Sequence, residues 1–139
     1  MNITPMNPSD YDDCLALWQA TEGMGLSQAD SREAIGHYLA RNIGLSFVAR
    51  DESGQLVGAV LCGHDGRRGM LHHLAVRADC RGQGLGRALV ERCMAALHAE
   101  GIDKCHLVVF EKNAGGRAFW QRTGWDERPE LVLMSKNIH

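Results

Sequence analysis

Long apolar runs are missing from this chain of 139 residues. None approaches the roughly 18 consecutive apolar residues of a membrane-crossing helix. The amino terminus shows neither the basic region nor the long apolar region of a secretory leader. The five cysteines, at positions 14, 62, 80, 93 and 105, contain no CxxC pair. Cys62, Cys93 and Cys105 fall in apolar patterns, which suits buried free thiols better than a disulfide framework. Strong charge of one sign is also lacking: a formal net charge of -2 gives no general attraction to nucleic acid or to an anionic membrane. No basic stripe or aromatic platform for nucleic acid stands out. No repeat, low-complexity tract or linker interrupts the chain. These absences lead to the expectation of a single cytoplasmic domain spanning 1–139, with neither nucleic acid nor membrane as partner. Hydrophobic content of 45% and charged content of 23% are ordinary for a folded domain with a real core.

The stretch from Leu74 to Ala99 organises the rest. An apolar segment leads into a loop carrying Arg81, Gly82, Gln83, Gly84 and Gly86. An amphipathic pattern follows, with Leu85, Leu89, Val90, Cys93, Met94 and Leu97 at spacings that share one helix face. Strand, glycine-rich turn and helix amino terminus together form a device for holding a phosphate. Glycines let the backbone curl close, and the first helical amides have no intrahelical acceptor.

In chain order, Asn2 to Pro5 reads as a short strand and Tyr11 to Gln19 as a helix capped by Ser9, with Leu15 and Trp18 inward. Thr21 to Asp30 is irregular, its Met24 and Leu26 open to packing on the core or to lining an acceptor pocket. Ser31 caps a short helix with Ile35, Tyr38 and Leu39 on one face. Leu45–Arg50, Gln55–Cys62 and Met70–Val76 read as consecutive antiparallel strands. Lys104–Phe110 reads as a central strand parallel to Met70–Val76, reached by a right-handed crossover through the helix at Gly84–Ala99. Asn113 to Arg122 is a second short helix, and Trp125 with Leu131–Met134 supplies the last strand or strands. The result is a mixed α/β domain.

Leu74-Ala75-Val76 followed by Arg81-Gly82-Gln83-Gly84-Leu85-Gly86 resembles the acyl-CoA-binding motif of the GNAT family of N-acetyltransferases, with Arg81, Gly84 and Gly86 at the motif positions. Asn113 to Trp120, with Gly124-Trp125, is similar to the family's second motif. The resemblance implies an α/β fold whose central sheet splays apart between flanking helices. It implies acetyl-CoA as co-substrate, no metal, and an amine acceptor, with a homodimer also in keeping with the family. Its pyrophosphate would meet the backbone of Gly82, Gly84 and Gly86 and the amides from Gln83 through Leu85 to Arg87. Leu74, Ala75 and Val76 would offer backbone groups to the pantetheine arm and the thioester oxygen. In the second motif, Asn113 would orient cofactor or simply cap its helix, with Phe119 and Trp120 beside it.

One departure bears on mechanism. Many family members carry a tyrosine where Trp120 stands, assigned as the acid for the leaving thiolate, and an indole N–H lacks the acidity for that role. Another group, water, or unassisted departure of a thiolate of pKa near 8.5 remains in its place. Trp120 then reads as packing or as a wall of the acyl pocket. For the base that deprotonates the amine, His72 and His73 lie on the strand before the loop, and strand alternation points them to opposite faces. Glu22 is the other candidate, as base or as an anion for a cationic amine. No third ligand accompanies His64 and His106, so no metal site is read. The competing function is a non-catalytic acyl-CoA-binding regulatory module, for which Trp120 is the argument. A dinucleotide-binding fragment fits poorly, because the loop follows antiparallel strands and lacks the acidic partner downstream.

Overall fold

The computed structural model describes residues 1–139. They form two compact units, Met1–Val108 and Val109–His139. The first holds one sheet of five strands in chain order: β1 (Asn2–Pro5), β2 (Phe47–Arg50), β3 (Leu56–His64), β4 (Gly69–Val76) and β5 (Cys105–His106). β1 through β4 pair antiparallel, and β4 pairs β5 in parallel after a crossover through α3 (Leu85–Ala99). This is the expected mixed sheet.

Side-chain alternation assigns its two faces. Val48, Ala59, Leu61 and Ala75 point to one face, where α1 (Tyr11–Gln19) and α2 (Arg32–Arg41) cover them with Cys14, Leu17, Trp18, Ile35 and Leu39. The opposite face carries α3: a Cβ on Gly58 would lie 3.0 Å from Leu89 and 3.4 Å from Leu85. β3 runs between both layers, which explains its unbroken apolar character.

Tight packing at Gly63 gives a direct test of this layering. A Cβ there would sit 2.7 Å from the Tyr38 hydroxyl and 2.8 Å from Asn42. Asn42 cannot yield cheaply, because its side chain accepts from the His64 amide and donates to the Tyr38 carbonyl. Gly63→Ala is therefore expected to lower the unfolding free energy by about 1–3 kcal/mol, read by chemical denaturation.

Several sequence expectations are corrected. Ser9 does not cap α1; it lies within a helical turn at Pro8–Asp10, where the Asp10 carboxylate accepts from the Asn7 amide at 2.8 Å. Ser31 does cap α2, accepting from the Ala34 amide. Met24 packs against the α1–α2 core, whereas Leu26 is exposed. The expected strand Lys104–Phe110 shrinks to Cys105–His106, paired with Gly69 and Met70 only. Beyond that point β5 leaves β4, and the β5-facing edge of β4 from Leu71 onward has no strand neighbour. The splay of the central sheet begins there.

The second unit contains α4 (Ala114–Arg122) and no strand. Trp125 and Leu131–Met134 are not paired, and Leu131 to Met134 are exposed. Apolar β-forming residues make a strand only when a neighbour accepts their backbone groups. The Leu131 amide instead turns back to the Arg128 carbonyl at 3.1 Å.

Candidate active site

The loop after β4 has the backbone the sequence predicts. Gly82 and Gly84 adopt φ of +77° and +81°, and Gly84 stands at the amino-terminal cap of α3. A Cβ at either glycine would meet nothing within 4 Å, so the loop is open on that side. The first helical bond of α3 joins the Ala88 amide to the Gly84 carbonyl at 3.0 Å. None of the amides from Gly82 to Arg87 donates within the chain. By contrast, the Asn113 and Ser31 side chains cap α4 and α2. No acidic side chain occupies the first turn of α3. A row of unpartnered N–H groups at a positive helix end fits an anion carrying phosphates.

Arg81 is anchored through one of its guanidinium nitrogens. Its Nε donates to the Val76 carbonyl at 2.8 Å, bracing the loop against the end of β4. Arg87 pairs with Glu91 one turn along the exposed face of α3. Leu85 is buried beneath the loop, while Gln83 and Gly86 leave backbone accessible. Leu74 and Val76 are half-buried and Ala75 is buried on the α1–α2 face. Cys80 is buried and contacts Arg77 and Asp79, with no base beside it.

The two β4 histidines do not point to opposite faces. Between Ala59 and Leu61 of β3 the partner strand advances from Ala75 to His72, one residue more than β3 does. The extra residue is a bulge, and His73 takes φ of +52°, the only positive value at a non-glycine residue. Holding such a conformation costs on the order of 1–3 kcal/mol. The bulge interrupts the alternation, so His72 and His73 both face α1 and α2. The His73 ring lies 5.2 Å from that of Trp18, and the His72 ring 6.2 Å from that of Tyr38.

Asp30 joins this group, and sequence reasoning missed it. His73 Nε2 lies 2.7 Å from Asp30 Oδ1, while Asp30 Oδ2 accepts from the Ser27 amide at 3.0 Å and the Asp30 carbonyl accepts from the Tyr11 hydroxyl at 2.6 Å. The Ser27–Asp30 spacing is a recognisable capping pattern, but nothing in it points across 43 residues to His73. A carboxylate only accepts, so Nε2 donates and the neutral ring keeps its lone pair on Nδ1. Nδ1 has no hydrogen-bond partner and is not sealed from solvent, unlike the Trp18 Nε1 and Tyr38 hydroxyl buried nearby.

Burial holds the His72 pKa below the usual 6.5, the neighbouring His73 pushes the same way, and Asp30 pulls more weakly upward. Glu22 is exposed and unpaired on the α1–α2 segment, away from any charged partner. His64 is engaged elsewhere, with Nδ1 accepting from the Gly66 amide and Nε2 2.8 Å from Glu100. No cluster of His, Cys, Asp and Glu can hold a metal.

Within the second unit, the Asn113 side chain accepts from the Gly116 amide at 2.9 Å, the helix-cap role. Trp120 packs edge-on against Phe119 and Trp125, at ring separations of 5.0 and 5.3 Å. The Trp125 amide returns to the Trp120 carbonyl. Trp120 is thus a packing residue of this unit.

Comparison with known proteins follows the same lines. The chain is 34% identical over 138 residues to an acetyltransferase of Pectobacterium atrosepticum, covering 99% of this chain and 96% of the relative. Its fold matches a GNAT-family acetyltransferase of Staphylococcus aureus Mu50 with a TM-score of 0.79 at 17% identity, covering 94% of this chain and 88% of that one. It also matches an aminoglycoside 6'-N-acetyltransferase of Acinetobacter haemolyticus with a TM-score of 0.77 at 20% identity, each chain covered in full. The profile of the acetyltransferase (GNAT) family spans residues 11–125, from the start of α1 through the phosphate-type loop to the close of the second motif. With the splayed sheet and the open amide row already in place, the chain belongs to the GNAT family of acetyl-CoA-dependent N-acetyltransferases.

Proposed function

We propose that residues 1–139 act as one N-acetyltransferase domain that moves an acetyl group directly to a primary amine, on a small molecule or a peptide end, in a ternary complex. The observation that carries this reading is the row of unpartnered amides from Gly82 to Arg87 on an open glycine loop. These amides, with the positive end of α3, hold the pyrophosphate of acetyl-CoA. Leu74, Ala75 and Val76 line the unpaired edge of β4, where the pantetheine arm runs. Acetyl-CoA supplies the activated acyl group and a good leaving thiolate.

His73 is the preferred base, through Nδ1. It takes a proton from the acceptor ammonium, leaving a free amine. The amine nitrogen bonds to the acetyl carbon, and the carbon–sulfur bond breaks with its electron pair passing to sulfur. The new amide nitrogen then sheds its second proton, and the thiolate takes up one proton. Water serves that last step, since Trp120 has no proton to offer at this pH. Net, an ammonium and a thioester give an amide, a thiol and one released proton. The aminoglycoside acetyltransferase with the same fold acetylates an amine, which supports the acceptor class. The cytoplasm is the proposed compartment, supported by five free thiols.

A second reading rests on Trp120: a binding module that keeps the CoA loop and has lost transfer. An assay of thiol release from acetyl-CoA against a panel of primary amines separates the two. Amine-dependent thiol release with matching N-acetylated product supports the enzyme. Acetyl-CoA binding with no turnover on any amine supports the module.

A further inference from the structure

Asp30 lies outside both motifs, yet its carboxylate is the one group bonded to the candidate base. We propose that Asp30 is a positioning residue that fixes the tautomer and direction of the His73 ring, so that Nδ1 presents the lone pair that receives the amine proton. The inference rests on the N-acetyltransferase reading above and deepens it.

The geometry is specific. Asp30 closes a helical turn at Gln28–Asp30, whose capping residue Ser27 both receives from the Ala29 amide and donates its own amide to Asp30 Oδ2. Tyr11, from the first turn of α1, donates to the Asp30 carbonyl. One carboxylate oxygen is therefore spent on orienting Asp30 itself, and the other, Oδ1, is aimed at His73 Nε2. Asp30 is buried, with an 11% exposed side chain against 18% for His73, so water competes weakly for the bond. The remaining neighbours of the ring leave Nδ1 unbonded: the tilted Trp18 ring lies 5.2 Å away and His72 6.4 Å away, itself edge-on to Tyr38. The bulge adds the second element. The extra residue in β4 lets the adjacent His72 and His73 share the face where Asp30 waits, with His73 at positive φ. Backbone and carboxylate together set one ring pose and one proton arrangement. A hydrogen-bonded carboxylate that fixes the tautomer of a catalytic imidazole also strengthens it as a base and steadies the imidazolium once formed.

The test is Asp30→Asn, alone and combined with His73→Asn, in the full chain. In asparagine one of the two carboxylate oxygen positions becomes an NH2 donor, so the side chain cannot accept from both the Ser27 amide and His73 Nε2 where they now stand. Asp30→Asn is expected to lower kcat about 100-fold while KM for acetyl-CoA changes less than threefold. In the His73→Asn background the same change is expected to cost less than twofold, because the base it serves is gone. A merely structural Asp30 would lower kcat by the same factor in both backgrounds, which overturns the proposal. So does a single-variant kcat within threefold of the unmodified protein. Independently of any variant, nitrogen-15 shifts of the unmodified protein report the neutral His73 tautomer. Hydrogen on Nε2 is expected; hydrogen on Nδ1 overturns the proposal even if every variant misfolds. Absence of amine acetylation by the unmodified protein is the separate outcome that removes the underlying reading, and this inference with it.

Discussion

Gly84→Val is expected to weaken acetyl-CoA binding at least 100-fold, about 2.7 kcal/mol, with the protein still folded. Two effects act together. At φ of +81° a β-branched residue is strained by about 1–2 kcal/mol, so the cap of α3 shifts toward allowed backbone and the amide row loses its common direction. The added methyl groups then occupy the open side of the loop, where no protein atom lies within 4 Å of a Cβ. Because that space is empty of protein, packing is spared and stability falls only by the strain. Isothermal titration with acetyl-CoA, beside a denaturation curve, separates the two effects. Loss of binding without loss of fold assigns the loop to the ligand; undiminished binding removes the loop from it.

His73→Asn is expected to lower kcat by roughly 10²–10⁴-fold, the usual worth of a general base. Asparagine is the informative replacement because it tolerates positive φ, so the bulge in β4 survives. Alanine would mix loss of the base with backbone strain. Activity equal to that of the unmodified protein transfers the role to another group. His72 is a poor heir, because burial and its neighbour favour its neutral form without giving it a carboxylate partner.

The legible part of this protein was local chemistry written in adjacent residues. Gly82, Gly84 and Gly86 before an amphipathic run announced the loop and α3, and both appear where expected. Asn113 was open between ligand and cap, and its bond to the Gly116 amide gives the cap. What escaped was decided across the chain. The alternation rule put His72 and His73 on opposite faces because a bulge leaves no mark in β4 itself; it arises from the register with Ala59 and Leu61. Asp30 looked like the end of a loop, since its tie to His73 exists only after α1 and β4 pack. Lys104–Phe110 and Leu131–Met134 carried strand-forming residues, but strand formation depends on a neighbour, and only Cys105 and His106 found one.

The proposed transferase depends first on the amides from Gly82 to Arg87 receiving the phosphates of acetyl-CoA. A titration of nitrogen-15-labelled protein with coenzyme A, followed amide by amide, reads those groups directly. The largest shifts are expected on Gly82 to Arg87, saturating together. Saturable binding that leaves these amides unmoved while others shift would contradict that role.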